Sequence, residues 1–339
     1  MQIASESMVS MDSANQAWSM SHALREQLVS EFERAGVVQV AGLLTPAEAV
    51  EIGTRFTDRI EADTALGHDD HVSADDVLHR YPRIVHPHRE DSADGARVRD
   101  LMLDERVQSV VTELIGPAWG AQSMFYFKPP GARGQALHQD NHFLRAHPET
   151  CLAVWIAIDD CAAENGSLRV VPGSHRQPLL CPEPADTEAS FTNDQVPVPA
   201  GVPIRTTSMA AGDALVFHGS LVHGSLPNRT ADRFRRALIF HFVPQASVQV
   251  ASFYQPLLAP DGSAVRIGES AMGGPCGTGW VQSASVGKRG REPTRSVMDA
   301  AGELTERVTA PAPLPGDDLG GDGDGGLLGR TRPEVQSDR

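Results

Sequence analysis

Apolar residues in the first third of the chain recur at the spacing of an α-helix. Leu24, Leu28 and Phe32 lie four residues apart, which predicts an amphipathic helix over residues 18–35. Gly36 follows directly and is expected to end it. Two further elements are predicted from the same patterning: a strand at 37–40 and a helix at 104–115.

A second helix has a start signal of its own. Thr45 suits the N-cap, Pro46 suits the first helical position, and Glu48 can close a capping box with Thr45. This helix is expected to run to about residue 62. Residues 63–95 are rich in His, Asp and Arg and are expected to form a long loop.

After Gly120 the helical spacing gives way to short apolar or aromatic runs separated by Gly, Pro, Asn and Asp. These runs lie at 124–127, 152–158, 168–171, 214–217 and 237–242. Short strands joined by turns are typical of a closed or sandwiched antiparallel β architecture. The Pro-rich stretch at 177–203 fits an insertion loop at one mouth of such a barrel.

Composition divides the chain into one folded domain between two loose ends. With 31 Gly and 24 Pro, it favours turns and strands over a helical bundle. The Gly/Asp tract at 317–329 cannot bury enough apolar surface to offset the entropy of ordering it. The expected parts are a flexible leader (1–17), a single domain (18–287) and a disordered tail (288–339). Within the domain we expect a helical buttress (18–118), a β core (119–250) and a C-terminal extension (251–287).

Charge and cysteine content narrow the function classes. The formal net charge of −15 argues against a nucleic acid or an anionic membrane surface as the main partner. No apolar run approaches the roughly 20 residues that span a bilayer, and no signal peptide is evident. The four cysteines form no CxxC pair, so a disulfide framework is not expected and a reducing cytosol is the simpler interpretation. We therefore expect a cytoplasmic protein, with the oligomeric state left open.

The candidate chemistry centres on a histidine and a carboxylate two residues apart. His138 and Asp140 would point to the same side of an extended strand, because successive side chains alternate faces. One more histidine would complete the two-His-one-carboxylate triad that leaves positions open on non-haem Fe(II). His-x-Asp alone is a weak signal in a chain with 13 His and 44 acidic residues.

The sequence around this pair resembles a known enzyme family. The pieces that carry the resemblance are Lys128-Pro129-Pro130-Gly131, Leu137-His138-Gln139-Asp140, Trp155-Ile156-Ala157-Ile158-Asp159, Asn165-Gly166-Ser167 through His175, His223-Gly224-Ser225 and Phe234-Arg235-Arg236-Ala237. In this order they resemble the phytanoyl-CoA dioxygenase family of Fe(II)/2-oxoglutarate-dependent oxygenases. The resemblance implies a mainly β fold with flanking α-helices, built on a double-stranded β-helix of the jelly-roll or cupin type.

The resemblance also implies the metal ligands. His138, Asp140 and His223 match the family's three ligands to iron. His218, five residues before His223, competes for the third position, but the run His223-Gly224-Ser225 fits the family better.

By the same resemblance, an arginine holds the far carboxylate of 2-oxoglutarate. The co-substrate candidates are Arg235, Ser225, Trp155 and Gln122. Arg235 suits this role because its planar fork can donate two parallel hydrogen bonds. Arg236 is the alternative, since only one of two neighbouring strand residues faces inward. Trp155 could equally be a core aromatic, and Gln122 a solvated edge residue.

Position alone suggests that Asn141, His142 and Phe143 face the substrate. The implied cofactor is Fe(II), with 2-oxoglutarate and O2 as co-substrates, and no catalytic residue is assigned beyond the metal centre. The implied activity is hydroxylation, or another oxidation, of an unactivated C–H bond in a small molecule such as a secondary metabolite or an amino-acid derivative. Two alternatives stay open: a cupin-type iron oxygenase that needs no 2-oxoglutarate, and a non-catalytic jelly-roll binding module.

Overall fold

The computed structural model describes residues 8–10, 20–62, 73–148, 150–270 and 276–277, with the backbone alone for 8–10. The chain divides into two units, Met1–Gln282 and Ser283–Arg339, and the second unit lies wholly outside the described residues, as does the tail predicted at 288–339. A strand, Met8–Ser10, lies inside the stretch expected to be a flexible leader; the rest of 1–17 is outside the described ranges. Among the described helices, none has the length and apolar character needed to span a membrane.

The described helices lie mostly ahead of the main strands. They are α1 (His22–Ala35), α2 (Pro46–Ala62), α3 (Val77–Arg80), α4 (Ala93–Met102), α5 (Glu105–Ile115) and α6 (Asn141–Leu144). Helix α1 begins later than the patterning predicts, because Ser21 caps it by accepting a hydrogen bond from Leu24 N at 3.3 Å. The capping box of α2 is confirmed. Thr45 Oγ1 accepts from Glu48 N at 3.2 Å, and Glu48 Oε2 accepts from Thr45 N at 2.8 Å.

The expectation of a long loop over 63–95 is wrong for its described part. Helix α3 and the start of α4 interrupt it, together with a two-residue strand and a short 3-10 helix. The local cause is capping: side-chain oxygens of Asp76 and Ser92 accept backbone N–H groups at 2.8 and 3.0 Å. Residues 63–72 lie outside the described residues.

The strands form two main sheets. They are β1 (Met8–Ser10), β2 (Val37–Ala41), β3 (Ile84–Val85), β4 (Ala118–Tyr126), β5 (Gln135–His138), β6 (Leu152–Ala157), β7 (Leu168–Val170), β8 (Glu183–Pro184), β9 (Asp194–Gln195), β10 (Arg205–Thr206), β11 (Ala214–His218), β12 (His223–Ser225), β13 (Ala237–Pro244), β14 (Gln249–Ala251), β15 (Leu257–Leu258), β16 (Ala264–Val265) and β17 (Gly268–Ser270). The large sheet has the order β1-β2-β11-β6-β13-β4-β15-β16, with β3 beside β4. The small sheet has the order β10-β7-β12-β5. Pairing within both is antiparallel except between β1 and β2.

The large sheet is buried on both faces, which explains its unbroken apolar strands. On one face, Val154 and Ile156 of β6 belong to a core that also holds buried residues of α1, α2, α4 and α5. On the other face, Trp155 joins Leu168 of the small sheet and Phe217 of β11 in a second core. Helices therefore cover the outside of the large sheet while the small sheet faces its inside. This arrangement confirms the predicted double-stranded β-helix with flanking helices.

One pair of cysteines forms a disulfide, which the sequence did not lead us to expect. Cys181 and Cys276 are joined by a disulfide, flanked by two backbone hydrogen bonds of Gly277 at 2.7 and 2.8 Å. The bonded residues are 95 positions apart, so no local spacing announces them. Cys151 and Cys161 are free and buried.

Glu48 links the start of α2 to α5 and gives a testable stability prediction. Its two carboxylate oxygens accept hydrogen bonds from Arg106 at 2.8 and 2.9 Å, which lower the pKa of Glu48 to about 2. Because the folded-state pKa lies below the unfolded one, this stabilisation is present above about pH 4.5 and is lost as the pH falls towards 2. We expect Glu48→Gln to lower the free energy of unfolding by about 1–2 kcal/mol at pH 7, after allowance for solvent screening.

Urea unfolding of both proteins at pH 7 and pH 3.5 measures this difference, which should be smaller at the lower pH. Glu26→Gln, at an exposed site on α1, is the matched control and should change little. An equal difference at the two pH values would contradict the role given to the Glu48 charge.

Candidate functional site

Strand pairing brings the three predicted metal ligands together. β12 runs antiparallel to β5 with His223 directly opposite His138. Asp140 Oδ1 lies 3.4 Å from His138 Nε2 and 3.6 Å from His223 Nε2. One candidate ligand atom from each residue lies within 4.8 Å of the other two. Two imidazoles and one carboxylate this close together match the donor set of a facial triad for a divalent metal.

Asp140 reaches this point by a different route from the one that strand alternation suggests. β5 ends at His138, and the backbone of Asp140 is already helical (φ −61°, ψ −37°) at the start of α6. The turn into α6 therefore brings the carboxylate round to the imidazole. The alternation of side chains along a strand therefore accounts for the position of His138 but not for that of Asp140.

His138 and His223 present the same ring nitrogen, Nε2, to the carboxylate of Asp140. His138 Nδ1 lies 2.9 Å from Ala136 O, and His223 Nδ1 lies 3.1 Å from Leu221 O. A carbonyl can only accept, so each Nδ1 carries the proton and each Nε2 keeps its lone pair for a metal. Burial lowers the pKa of His223 to about 4, so its imidazole is neutral at pH 7, as a ligand must be.

His241 fixes the second oxygen of the Asp140 carboxylate. Its Nε2 lies 3.0 Å from Asp140 Oδ2, and its side chain is almost fully buried. Burial by itself raises the pKa of Asp140. The neighbouring His223 and His241 and the hydrogen bond from His241 outweigh burial and hold this pKa well below its usual range. The ionised carboxylate accepts only, so His241 Nε2–H donates to Oδ2 and leaves Oδ1 beside the two ligand imidazoles.

A cavity of about 300 Å³ lies beside the three ligands, and all four co-substrate candidates line it. Arg235 is buried, with Nε donating to Gly166 O at 3.2 Å and its guanidinium carbon 5.3 Å from the centroid of the Trp155 ring. Trp155 thus supports the guanidinium through a cation–π contact. Ser225 and Gln122 are also buried at the cavity wall.

His218, the alternative third metal ligand, and Arg236, the alternative carboxylate anchor, both lie outside the cavity. The ring of His218 lies 6.2 Å from that of Phe32 and 5.4 Å from that of His175, centroid to centroid, and its Nδ1 accepts from Ser220 N at 3.1 Å. Arg236 forms an ion pair with Asp159, Nη2 to Oδ1 at 2.6 Å, on the side of the strand that faces α2. Neither residue lines the cavity. Their competitors, His223 and Arg235, do.

Of the three substrate candidates, only Phe143 lines the main cavity, with its ring centroid 6.3 Å from that of His138. His142 lines a smaller neighbouring cavity. Asn141 does not fit the expectation. Its amide donates to Ala146 O and accepts from Ala146 N, at 3.3 and 3.0 Å, so both polar groups are used to hold the chain after α6.

Two residues of the site carry no sequence-based assignment, Lys128 and His241. His241 had a usable signal, because it interrupts the apolar run of β13 and lies six residues from Arg235, on the same face of the strand. Lys128 belongs to one of the motifs that carry the family resemblance, but nothing in the sequence indicated its burial. A lysine at a strand end is normally solvent-exposed, whereas this one is 1% exposed and donates to Ser225 Oγ at 2.7 Å.

Comparison with known proteins agrees with this geometry. A model of the phytanoyl-CoA dioxygenase (PhyH) family matches residues 32–237. Phytanoyl-CoA dioxygenase 1 of Oryza sativa subsp. japonica is 36% identical over 126 residues, which cover 36% of this chain and 43% of that protein. Ectoine dioxygenase of Nocardia farcinica (strain IFM 10152) is 29% identical over 233 residues, covering 63% of this chain and 76% of that protein. The match thus spans less than half the length of the rice relative.

Solved structures show the same fold. The epimerase SnoN, in complex with Fe3+, alpha ketoglutarate and nogalamycin RO, has a TM-score of 0.54 and 22% identity, over 67% of this chain and 86% of that one. At this identity the likeness bears on the fold alone. The family model, in contrast, covers more than half of this chain, including the predicted ligands His138, Asp140 and His223 and the predicted anchor Arg235. The chain therefore belongs to the phytanoyl-CoA dioxygenase (PhyH) family.

Proposed function

We propose that this chain is an Fe(II)- and 2-oxoglutarate-dependent oxygenase that oxidises an unactivated C–H bond of a small molecule. The observation that carries the proposal is the meeting, at one cavity, of a His-Asp-His set and a buried arginine. The first can hold a metal and the second a carboxylate. Family membership supports the same conclusion.

The residues present fit an iron ion. His138 and His223 offer neutral Nε2 atoms, and Asp140 offers one oxygen while His241 holds the other. Three protein ligands leave the remaining positions of the metal to a co-substrate and to oxygen. When bound with 2-oxoglutarate, Fe(II) supplies the oxidation: O2 is reduced, the oxo acid loses CO2 to give succinate, and the substrate C–H bond is oxidised. The chain itself positions the reactants and excludes water.

The cavity also fits 2-oxoglutarate. Arg235 donates through Nε to the protein, which leaves its two terminal nitrogens for a carboxylate in the cavity that it lines. Within the described part of the chain, Asp140 is the one acidic residue on the cavity wall, and it belongs to the His138-Asp140-His223 set proposed to hold the metal. A far carboxylate on the co-substrate would therefore meet Arg235 without competition from a protein carboxylate.

The cavity volume supports a small-molecule substrate. About 300 Å³ is at the low end of the range for ligand pockets, and 2-oxoglutarate would occupy part of it. A secondary metabolite or amino-acid derivative remains our proposal, with Phe143 at the wall as a contact. The absence of a nucleic-acid partner rests on the net charge of −15. A cytoplasmic location stays a prediction, and the Cys181–Cys276 disulfide weighs against a reducing compartment.

Arg235 argues against the first alternative function. A cupin-type oxygenase that binds its substrate directly to iron has no need of a buried guanidinium beside the metal set. A non-catalytic binding module has no need of three ligand atoms within 4.8 Å, each oriented by a partner of its own.

The decisive assay is oxygen-dependent release of succinate from 2-oxoglutarate by the Fe(II)-loaded protein, across a panel of small metabolites.

Metal binding should depend on His223 and not on His218. We expect His223→Ala to weaken Co(II) binding by more than about a hundredfold, because it removes a ligand outright. His218→Ala is the matched control and should bind Co(II) as the parent does. Spectroscopic titration under argon measures both. The reverse order of affinities would mean that the third ligand is assigned to the wrong histidine.

The hydrogen bond from His241 to Asp140 should support metal binding. We expect His241→Phe to weaken Co(II) affinity by roughly ten- to a hundredfold, since the carboxylate loses the donor that fixes its orientation. His241→Gln can still donate and should recover part of that loss. Circular dichroism checks that both variants fold. A Phe variant with parental affinity would refute the role of this bond.

The anchoring of 2-oxoglutarate should depend on Arg235. We expect Arg235→Gln to raise the 2-oxoglutarate concentration for half-maximal succinate release by roughly a hundredfold or more, because a buried charge pair is lost. Co(II) binding should be unchanged. Arg236→Gln removes the neighbouring guanidinium, which pairs with Asp159, and serves as the control. If Arg236→Gln has the larger effect, the inward-facing arginine is misassigned.

A further inference from the structure

The ammonium group of Lys128 is buried beside the cavity. The residue follows β4 and precedes Pro129-Pro130, and it is 1% exposed. Its Nζ donates to Ser225 Oγ at 2.7 Å and to Leu226 O at 2.6 Å. Both acceptors are uncharged. A cation removed from water needs more than two neutral acceptors to offset its desolvation, so its burial calls for an explanation.

Lys128 determines which way the hydroxyl of Ser225 can donate. Ser225 Oγ accepts from Lys128 Nζ at 2.7 Å and from Gln135 N at 3.1 Å. A hydroxyl oxygen has two lone pairs and one proton, and these two donors take up its accepting capacity. The Ser225 proton is therefore left to donate, and Ser225 lines the cavity. A carboxylate bound there is a suitable acceptor.

The backbone locks Lys128 next to Arg235. Arg235 N donates to Lys128 O at 2.9 Å, and Arg235 Nε donates to Gly166 O at 3.2 Å. Gly166 also makes room for the lysine: a Cβ added to this glycine would lie 2.5 Å from Lys128 Cδ, and its φ is +88°. Asn228 Nδ2 donates to Lys128 O at 3.0 Å as well. Lys128 and Arg235 are thus paired through their backbones, and both side chains are buried.

This arrangement is electrostatically incomplete. Among the described residues, no carboxylate forms an ion pair with Lys128 or Arg235. Burial, followed by the charge of Arg235, lowers the pKa of Lys128 well below its ordinary value, and burial lowers that of Arg235. An anion at this end of the cavity would favour the charged form of both groups.

We propose that Lys128 is a positioning residue of the co-substrate site, which turns the Ser225 hydroxyl towards the far carboxylate of 2-oxoglutarate and, with Arg235, makes the site select oxo acids that carry a second carboxylate. This inference rests on the proposed function and deepens it. Lys128 acts through Ser225 and through its charge, and it does not touch the reacting atoms. A purely structural lysine, tying β12 to the turn after β4, is the alternative that the test must separate.

The experiment compares two ligands that differ only in the far carboxylate. Calorimetry on the Co(II)-loaded protein under argon gives the Kd of 2-oxoglutarate and of 2-oxopentanoate. The proteins are the parent, Lys128→Met, Ser225→Ala and the double variant. We expect Lys128→Met to raise the Kd of 2-oxoglutarate by roughly ten- to a hundredfold, as for loss of a charge-assisted interaction. The Kd of 2-oxopentanoate should change by less than about threefold.

The double variant tests the path of the effect. If Lys128 acts largely through Ser225, the loss in the double variant should be clearly smaller than the product of the two single losses. Equal losses for both ligands would reduce Lys128 to a structural residue, and fully multiplicative losses would refute the path through Ser225. An unchanged Kd for 2-oxoglutarate in Lys128→Met would overturn the inference directly.

Co(II) binding and circular dichroism check the fold of each variant. If Lys128→Met does not fold, Lys128→Gln carries the test, because it removes the charge and must weaken the binding of 2-oxoglutarate and spare that of 2-oxopentanoate. Equal treatment of the two ligands by that variant would overturn the inference as well. A parent protein that binds Co(II) but not 2-oxoglutarate would refute the proposed function itself, an outcome distinct from failure of the Lys128 inference alone.

Discussion

The antiparallel pairing of β12 with β5 is the constraint on which the rest of the site depends. It places His223 opposite His138, although 85 residues separate them, and the turn into α6 then adds Asp140. A shift of one residue in this register would turn His223 to the other face of the small sheet. Carbonyl partners fix each imidazole, and His241 fixes the carboxylate from the large sheet. The geometry of His138, Asp140 and His223 therefore depends on the correct packing of the two sheets against each other.

Much of this was accessible from the sequence, for identifiable reasons. The large sheet is covered on both faces, so its strands are continuous apolar runs, and the predicted run at 152–158 coincides closely with β6. The Thr45 capping box is local chemistry and is present as expected. Neighbouring strand residues face opposite sides, so the choice between Arg235 and Arg236 became a choice of face. The ordered family motifs then indicated which face lines the cavity.

What the sequence did not reveal depends on contacts that residue type does not indicate. Asn141 looked like a substrate contact because it follows the ligand strand, but its amide is used by the backbone of Ala146. The Cys181–Cys276 disulfide joins residues 95 apart. Lys128 resembles a surface lysine until Gly166 and Ser225 are seen to enclose it. In each case the deciding partner lies elsewhere in the chain, or its effect on the local backbone cannot be read from residue type.

The central claim is that one cavity holds a metal at one wall and a dicarboxylate against a buried guanidinium. A crystal structure of the full chain, grown without oxygen in the presence of Fe(II) and 2-oxoglutarate, tests it most directly. We expect an anomalous iron peak about 2.0–2.2 Å from His138 Nε2, Asp140 Oδ1 and His223 Nε2. We also expect density for the oxo acid, with its far carboxylate against Arg235. Iron bound elsewhere, or an oxo acid that points away from Arg235, would contradict both assignments.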